Sequence, residues 1–277
     1  MNYTELFNVK PFLYFVFPVV NYCNLHCEWC STLNHIPIRR DSPYPTRRNK
    51  WEISLDTIRL FCERFKDHGI DNMHRLTGAE PTCMPIKKLE AVIDTFKSYN
   101  RKLWMITNGY NLMGLSKEHI NKFSGLTLDD HGINHSHIKT CKKYLDHFYN
   151  GHVQVLVQET HWNLVEAMNH PSNKGKHCQS MMRTPAVIDS IIYPCGNLFN
   201  IEQINKDTRI RRELLDAQWT LENPKILQVL KNWRKTMPRY VLNQCLNSCW
   251  RPNWRVGKSV KITLKTNDII SKAIEET

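Results

Sequence analysis

Val20-Asn-Tyr-Cys-Asn-Leu-His-Cys-Glu-Trp-Cys30 places three cysteines, Cys23, Cys27 and Cys30, within eight residues. They follow the apolar run Phe12-Leu-Tyr-Phe-Val-Phe-Pro-Val-Val20, which predicts a strand over Leu13 to Val20 with the cysteine loop at its end. Thiolates this close can hold three irons of a four-iron cluster and leave the fourth iron without a protein ligand, free for chemistry. Zinc sites close with four N/S ligands, often as paired C-x2-C knuckles, so the uneven spacing disfavours zinc.

Working outward, β-rich runs alternate with helical patterns through the first two thirds, the arrangement of βα units around a parallel sheet. A polar connection from Ser31 to Lys50 precedes a helix over Ser54 to Asp67, with Ile58, Phe61, Cys62 and Phe65 on one face. A second strand, Asn72 to Leu76, ends in Thr77-Gly-Ala-Glu-Pro-Thr82. Pro85 then suits the first turn of a helix whose Ile86, Leu89, Val92, Ile93 and Phe96 share a face. Strands follow at Lys102 to Thr107, Gly125 to Leu128 and around Val153, Val155 and Val157. A helix over Ser136 to Tyr149 separates the last two, and a short helix is expected from Trp162 to Met168. The expected fold is α/β, a partial (β/α)6 TIM-like barrel over residues 1–175 with a small cysteine-rich α+β extension over 176–277. In such barrels the loops leaving the strand ends gather on one face and build the site.

At 277 residues, 41% apolar, the chain can bury a sizeable core. Ten cysteines would suit a secreted disulfide scaffold. The first ten residues, however, carry one acid and one base and lead into the cysteine loop without a small-residue cleavage site, so no signal peptide is expected. No stretch approaches the roughly 20 apolar residues of a membrane span. A reducing cytoplasm is the expectation, where clustered cysteines are metal ligands more often than bridges.

The spacing C-x3-C-x2-C, with Trp29 before the last cysteine, resembles that of the radical S-adenosylmethionine (SAM) enzymes. In that family three cysteines hold a [4Fe-4S] cluster whose bare iron chelates SAM, and reductive cleavage yields a 5′-deoxyadenosyl radical that abstracts hydrogen from a substrate. Gly78-Ala79-Glu80-Pro81 resembles the family's Gly-Gly-Glu-Pro turn, with alanine in place of the second glycine. Its backbone carbonyls and the Glu80 carboxylate would complement the SAM ammonium. Thr107-Asn108-Gly109 and Leu126-Thr-Leu-Asp129 resemble the elements after strands three and four. The resemblance implies Trp29 at the adenine, Thr127 or Asp129 at the ribose or methionyl carboxylate, and Asn108 in the same cofactor site. His131, His135 and His137 crowd the next loop as solvated residues, and no catalytic side chain is assigned.

Cys178, Cys195, Cys245 and Cys249 lie beyond the barrel and resemble the layout of the twitch or SPASM extension, implying a second, auxiliary [4Fe-4S] cluster. Zinc in the same thiolates is the rival reading. Between them, Ala186 to Tyr193 supplies a hairpin arm and Pro224 to Met237 a helix. Cys62 and Cys141 read as core and Cys83 as a neighbour of the mouth.

Residues 171–277 hold 18 Lys/Arg against 9 Asp/Glu and so carry most of the net charge of +12. Such a surface suits nucleic acid, a phosphorylated small molecule, or an acidic electron donor such as flavodoxin or ferredoxin, and equally a merely solvated face. The leading expectation is hydrogen abstraction from a small-molecule substrate. Ribosomal-peptide maturation is the first alternative, disfavoured because no leader-binding domain is expected before Cys23. Modification of RNA or a nucleotide is the second, through Arg39, Arg40, Arg47, Arg48 and Lys50 together with Trp250, Arg251, Trp254, Arg255 and Lys258. A zinc-dependent nucleic-acid-binding protein is the non-enzymatic alternative.

Overall fold

The computed structural model describes residues 14–25, 51–66, 73–132, 134–157, 161–162, 184–196, 198–199, 208–248 and 259–260. Strands β1 (Val16–Pro18), β2 (Met73–Thr77), β3 (Lys102–Thr107), β4 (Phe123–Asp130) and β5 (His152–Val157) form a parallel ladder in the spatial order β5-β4-β3-β2-β1. Register runs through Val16, Arg75, Trp104, Gly125 and His152, so alternate residues of all five strands line the same face.

The helical side of the ladder is packed first by aromatic rings. Phe15 and Phe17 are fully buried and meet Phe61 of helix α1 (Leu55–Arg64) at 4.9 and 4.8 Å between centroids, and Phe17 meets Phe96 of helix α2 (Ile86–Ser98) at 4.9 Å. Edge-to-face contacts of this kind add to area burial and fix the helix positions. Ser54 starts α1 by accepting the Thr57 N–H, a side-chain N-cap. Pro85 stands at the N-cap of α2, one position before the turn expected for it. Ile86, expected on the buried face, is 40% exposed, with its Cδ1 against Gly114. Helices α3 (Lys117–Asn121) and α4 (His135–Asp146) complete the series, with Cys62 and Cys141 buried as expected.

The sixth parallel strand enters from the other side. After the two-residue β6 (His161–Trp162), the hairpin β7 (Ala186–Ile188) and β8 (Ile191–Tyr193) joins the β1 flank, β7 parallel to β1 and β8 antiparallel to β7. Positive φ at Asp189 and Ser190 makes the tight hairpin turn, and the Val16 N–H donates to the Pro185 carbonyl at 2.8 Å. The expected hairpin therefore extends the barrel's own sheet. Trp51 Nε1 and Arg211 both donate to Asp189, tying the turn to the chain before α1 and to the helix Arg209–Asp216.

Two expectations for the later chain are corrected. Trp162 lies in β6, paired antiparallel with Ser259 of β9 (Ser259–Val260), and does not begin a helix; residues 163–183 lie outside the described set. The single helix over Pro224 to Met237 is two, Ile226–Lys231 and Trp233–Thr236. They are parted at Asn232, whose side chain bonds back to the Gln228 carbonyl and competes with the helical ladder. Among the described residues no helix is long and apolar enough to cross a membrane.

His74 of β2 is buried among Phe15, Phe17, Phe61 and Phe96, and neither ring nitrogen has a hydrogen-bond partner among the described residues. Burial, with the Arg101 guanidinium adding to it, pushes its pKa down to about 3. The folded chain thus holds a neutral ring that the unfolded chain protonates near pH 6.5, and stability falls as pH drops from about 6.5 towards 3, at up to ~1.4 kcal/mol per unit. Denaturant midpoints at pH 7 and pH 5 check this: His74→Leu flattens the pH dependence that the parent shows.

Candidate active site

Four loops leave the carboxyl ends of β1 to β4 side by side: Asn21–Leu25, Gly78–Cys83, Asn108–Asn111 and the Asp129–Asn134 turn. The first two are zipped together by backbone bonds. The Val19 N–H donates to the Thr77 carbonyl at 2.8 Å, Ala79 N–H to Val20 at 3.1 Å and Glu80 N–H to Tyr22 at 3.2 Å. Gly78 has φ +126°, and a Cβ there would lie 2.6 Å from the Val20 carbonyl oxygen. Only a glycine fits. Ala79 is not among the positive-φ residues, which is why alanine can stand where the resemblance expects a second glycine.

Glu80 is 2% exposed. Its Oε1 accepts from the Thr82 N–H at 3.0 Å, the Thr82 hydroxyl at 2.7 Å and the Thr107 hydroxyl at 2.6 Å, and its Oε2 accepts from the Asn108 N–H at 2.6 Å. Burial pushes its pKa up while these donors pull it back, and among the described residues no cation pairs with it. One carboxylate therefore cross-links the loops after β2 and β3.

Asn108 continues the chain of contacts. Its Oδ1 accepts the Tyr110 N–H at 3.1 Å, and its Nδ2 donates to Asn24 Oδ1 at 2.8 Å and lies 3.6 Å from Cys23 Sγ. The Leu25 N–H also donates to that sulfur, at 3.3 Å. Asn134, fully buried, donates from Nδ2 to the Asn108 and Asp129 carbonyls, both at 2.9 Å, and accepts the His131 N–H at 2.7 Å. Sequence reasoning missed this strut. An asparagine directly before a helix reads as an N-cap, yet here its side chain makes no cap bond and turns onto the loops.

Thr127 and Asp129 lie two apart on the same face of β4. The Thr127 hydroxyl accepts from Trp104 Nε1 at 2.8 Å, and the indole lies directly over Gly125, where an added Cβ would sit 2.3 Å from it. Asp129 stands 3.6 Å from His131 Nε2. Asp130 points to the other face, bonded to His135 Nδ1 at 2.6 Å and to the Gly132 N–H. Burial works against its charge, but these partners hold its pKa below the usual carboxylate range. His137 stacks on Tyr110 and donates to the Gly109 carbonyl at 3.1 Å. The three loop histidines are thus paired rather than merely solvated.

Trp29, Cys27, Cys30, Cys178 and Cys249 lie outside the described residues, as do the basic residues expected to meet nucleic acid at 39–48 and 250–258. Lys50 does too. Cys195 is buried just after β8, and Cys245 lies in the helix Arg239–Ser248. Among the described residues no group of three His, Cys, Asp or Glu side chains could hold a metal. The residues present nonetheless fit a metal-bound thiolate: two N–H groups converge on Cys23 Sγ beside a turn that admits no Cβ.

The family model described as the radical SAM superfamily matches residues 17–155. No curated protein matches the chain. Among solved structures, the crystal structure of BtrN in complex with AdoMet and 2-DOIA aligns with TM-score 0.52 and 14% identity, covering 88% of this chain and 90% of that one. Streptococcus suis SuiB bound to S-adenosylmethionine aligns with TM-score 0.39 and 14% identity over 90% of this chain and 75% of its own.

Replacing Gly78 with alanine is expected to destabilise the fold by about 1–3 kcal/mol, because the methyl group meets the Val20 carbonyl and the φ is strained. The shift in denaturant midpoint measures it, and Ala79→Gly, at an unstrained position, costs about 1 kcal/mol at most.

Proposed function

The chain belongs to the radical SAM superfamily, and from that premise we propose that Cys23, Cys27 and Cys30 hold the SAM-binding [4Fe-4S] cluster of an enzyme that abstracts hydrogen from a small organic substrate. The single observation that carries this reading is the convergence of the Leu25 and Asn108 N–H groups on Cys23 Sγ, at the mouth built by the turn Gly78–Glu80. When bound, cluster and SAM together supply one electron and a 5′-deoxyadenosyl radical.

The chain's own residues bind and orient. By the family resemblance, carbonyls of the Gly78–Ala79 turn would accept from the SAM ammonium, and Trp29 would line the adenine. Thr127 or Asp129, on one face of β4, would meet the ribose or the methionyl carboxylate. Glu80, whose oxygens stay committed to Thr82, Thr107 and Asn108, would hold the Gly78–Ala79 turn and the loop after β3 in place for a cationic cofactor. The indole of Trp104 is pinned by Thr127 over Gly125, on the face of the sheet that carries Thr127 and Asp129.

A small-molecule substrate is supported by the near full-length likeness to an AdoMet complex of similar size. We further infer that Cys178, Cys195, Cys245 and Cys249 hold an auxiliary cluster. Its support is the helix Arg209–Asp216, which packs on both β8 and the helix Arg239–Ser248 and so joins the elements that carry Cys195 and Cys245. The basic excess of the last 107 residues suits an acidic electron donor, flavodoxin or ferredoxin.

Anaerobic reconstitution with iron and sulfide tests both assignments. About eight irons are expected, and dithionite with SAM should release 5′-deoxyadenosine. Cys27→Ala abolishes that release, whereas Cys195→Ala lowers iron content and spares the first cluster. Loss of nearly all iron in either single variant contradicts two separate sites, and colourless protein containing zinc overturns the reading.

A further inference from the structure

We propose that Asn108 is a hydrogen-bond donor to the Cys23 sulfur that sets the reduction potential of the amino-terminal cluster, an inference that rests on the function proposed above. The amide orientation is fixed by its neighbours. Oδ1 is engaged by the Tyr110 N–H at 3.1 Å, so Nδ2 faces the cysteine loop, one hydrogen to Asn24 Oδ1 at 2.8 Å and the other towards Cys23 Sγ at 3.6 Å. The residue cannot drift. Its backbone N–H is held by Glu80 at 2.6 Å and its carbonyl by Asn134 at 2.9 Å, both partners buried.

Reduction of a cluster adds negative charge that is shared by the ligating sulfurs, and an N–H dipole aimed at a sulfur favours the reduced form. Asn108 donates from a side chain of a different strand-end loop, whereas the Leu25 N–H belongs to the cysteine loop itself. It is therefore a positioning residue that couples the loop after β3 to the electron affinity of the site after β1. Its 3% exposure keeps water from replacing the bond.

The test is a reductive titration without SAM, followed by electron paramagnetic resonance. It uses anaerobically reconstituted protein in the Cys195→Ala background, so that the amino-terminal cluster is read alone. Asn108→Leu, similar in shape and without the donor, is expected to keep its iron and shift the midpoint to more negative potential. Asn108→Asp, which replaces the donor with an acceptor, should shift it further. An unchanged midpoint in Asn108→Leu at full iron content overturns the proposal, and loss of iron in both variants overturns it in favour of a purely structural role. A parent protein that shows no cluster signal removes the functional reading itself, which separates the two failures.

Discussion

A buried carboxyl group that, among the described residues, meets four donors and no cation organises the mouth of this barrel. Glu80 costs desolvation free energy of several kcal/mol, and the hydroxyls of Thr82 and Thr107 with the N–H groups of Thr82 and Asn108 offset it. Because those donors belong to two separate strand-end loops, the offset holds only while both loops keep their places. Removing any one donor leaves part of a charge unsatisfied, which is the more expensive side of a hydrogen bond. The loops after β2 and β3 are therefore one object.

From that object the constraint spreads in both directions. Towards the amino terminus, Ala79 and Glu80 zip onto Val20 and Tyr22, and the absence of a Cβ at Gly78 lets the two segments approach. Towards β4, Asn134 takes the Asn108 and Asp129 carbonyls together. A site assembled this way is pre-organised: its polar groups are fixed by partners in the protein before any ligand arrives.

Much of this could be read from residue patterns. Lys102 to Thr107 matched its strand from end to end, and the aromatic stripe of α1 gave the packing face, because period and burial agree wherever a helix rests on a sheet. The cysteine spacing and the Gly78–Glu80 turn pointed to the family directly. Other features depended on distant partners and left no local trace. Asn134 takes its role from the two loops it bridges, Asn232 breaks a helix that its flanking apolar residues would continue, and Trp162 pairs with a strand nearly a hundred residues later. Ala79 shows the reverse case, a departure from the family pattern that the observed backbone makes harmless.

The pairing of β7 with β1 joins Ala186 to Val16 across more than half of the polypeptide. Strand pairs this far apart raise the contact order and slow folding. During synthesis β1 presents one unpaired edge until the hairpin around Asp189 has left the ribosome, and the cysteine loop hangs from that same strand. Completion of the sheet beneath Cys23 is thereby tied to the chain's later half, so a nascent amino-terminal fragment displays that loop on an unfinished scaffold.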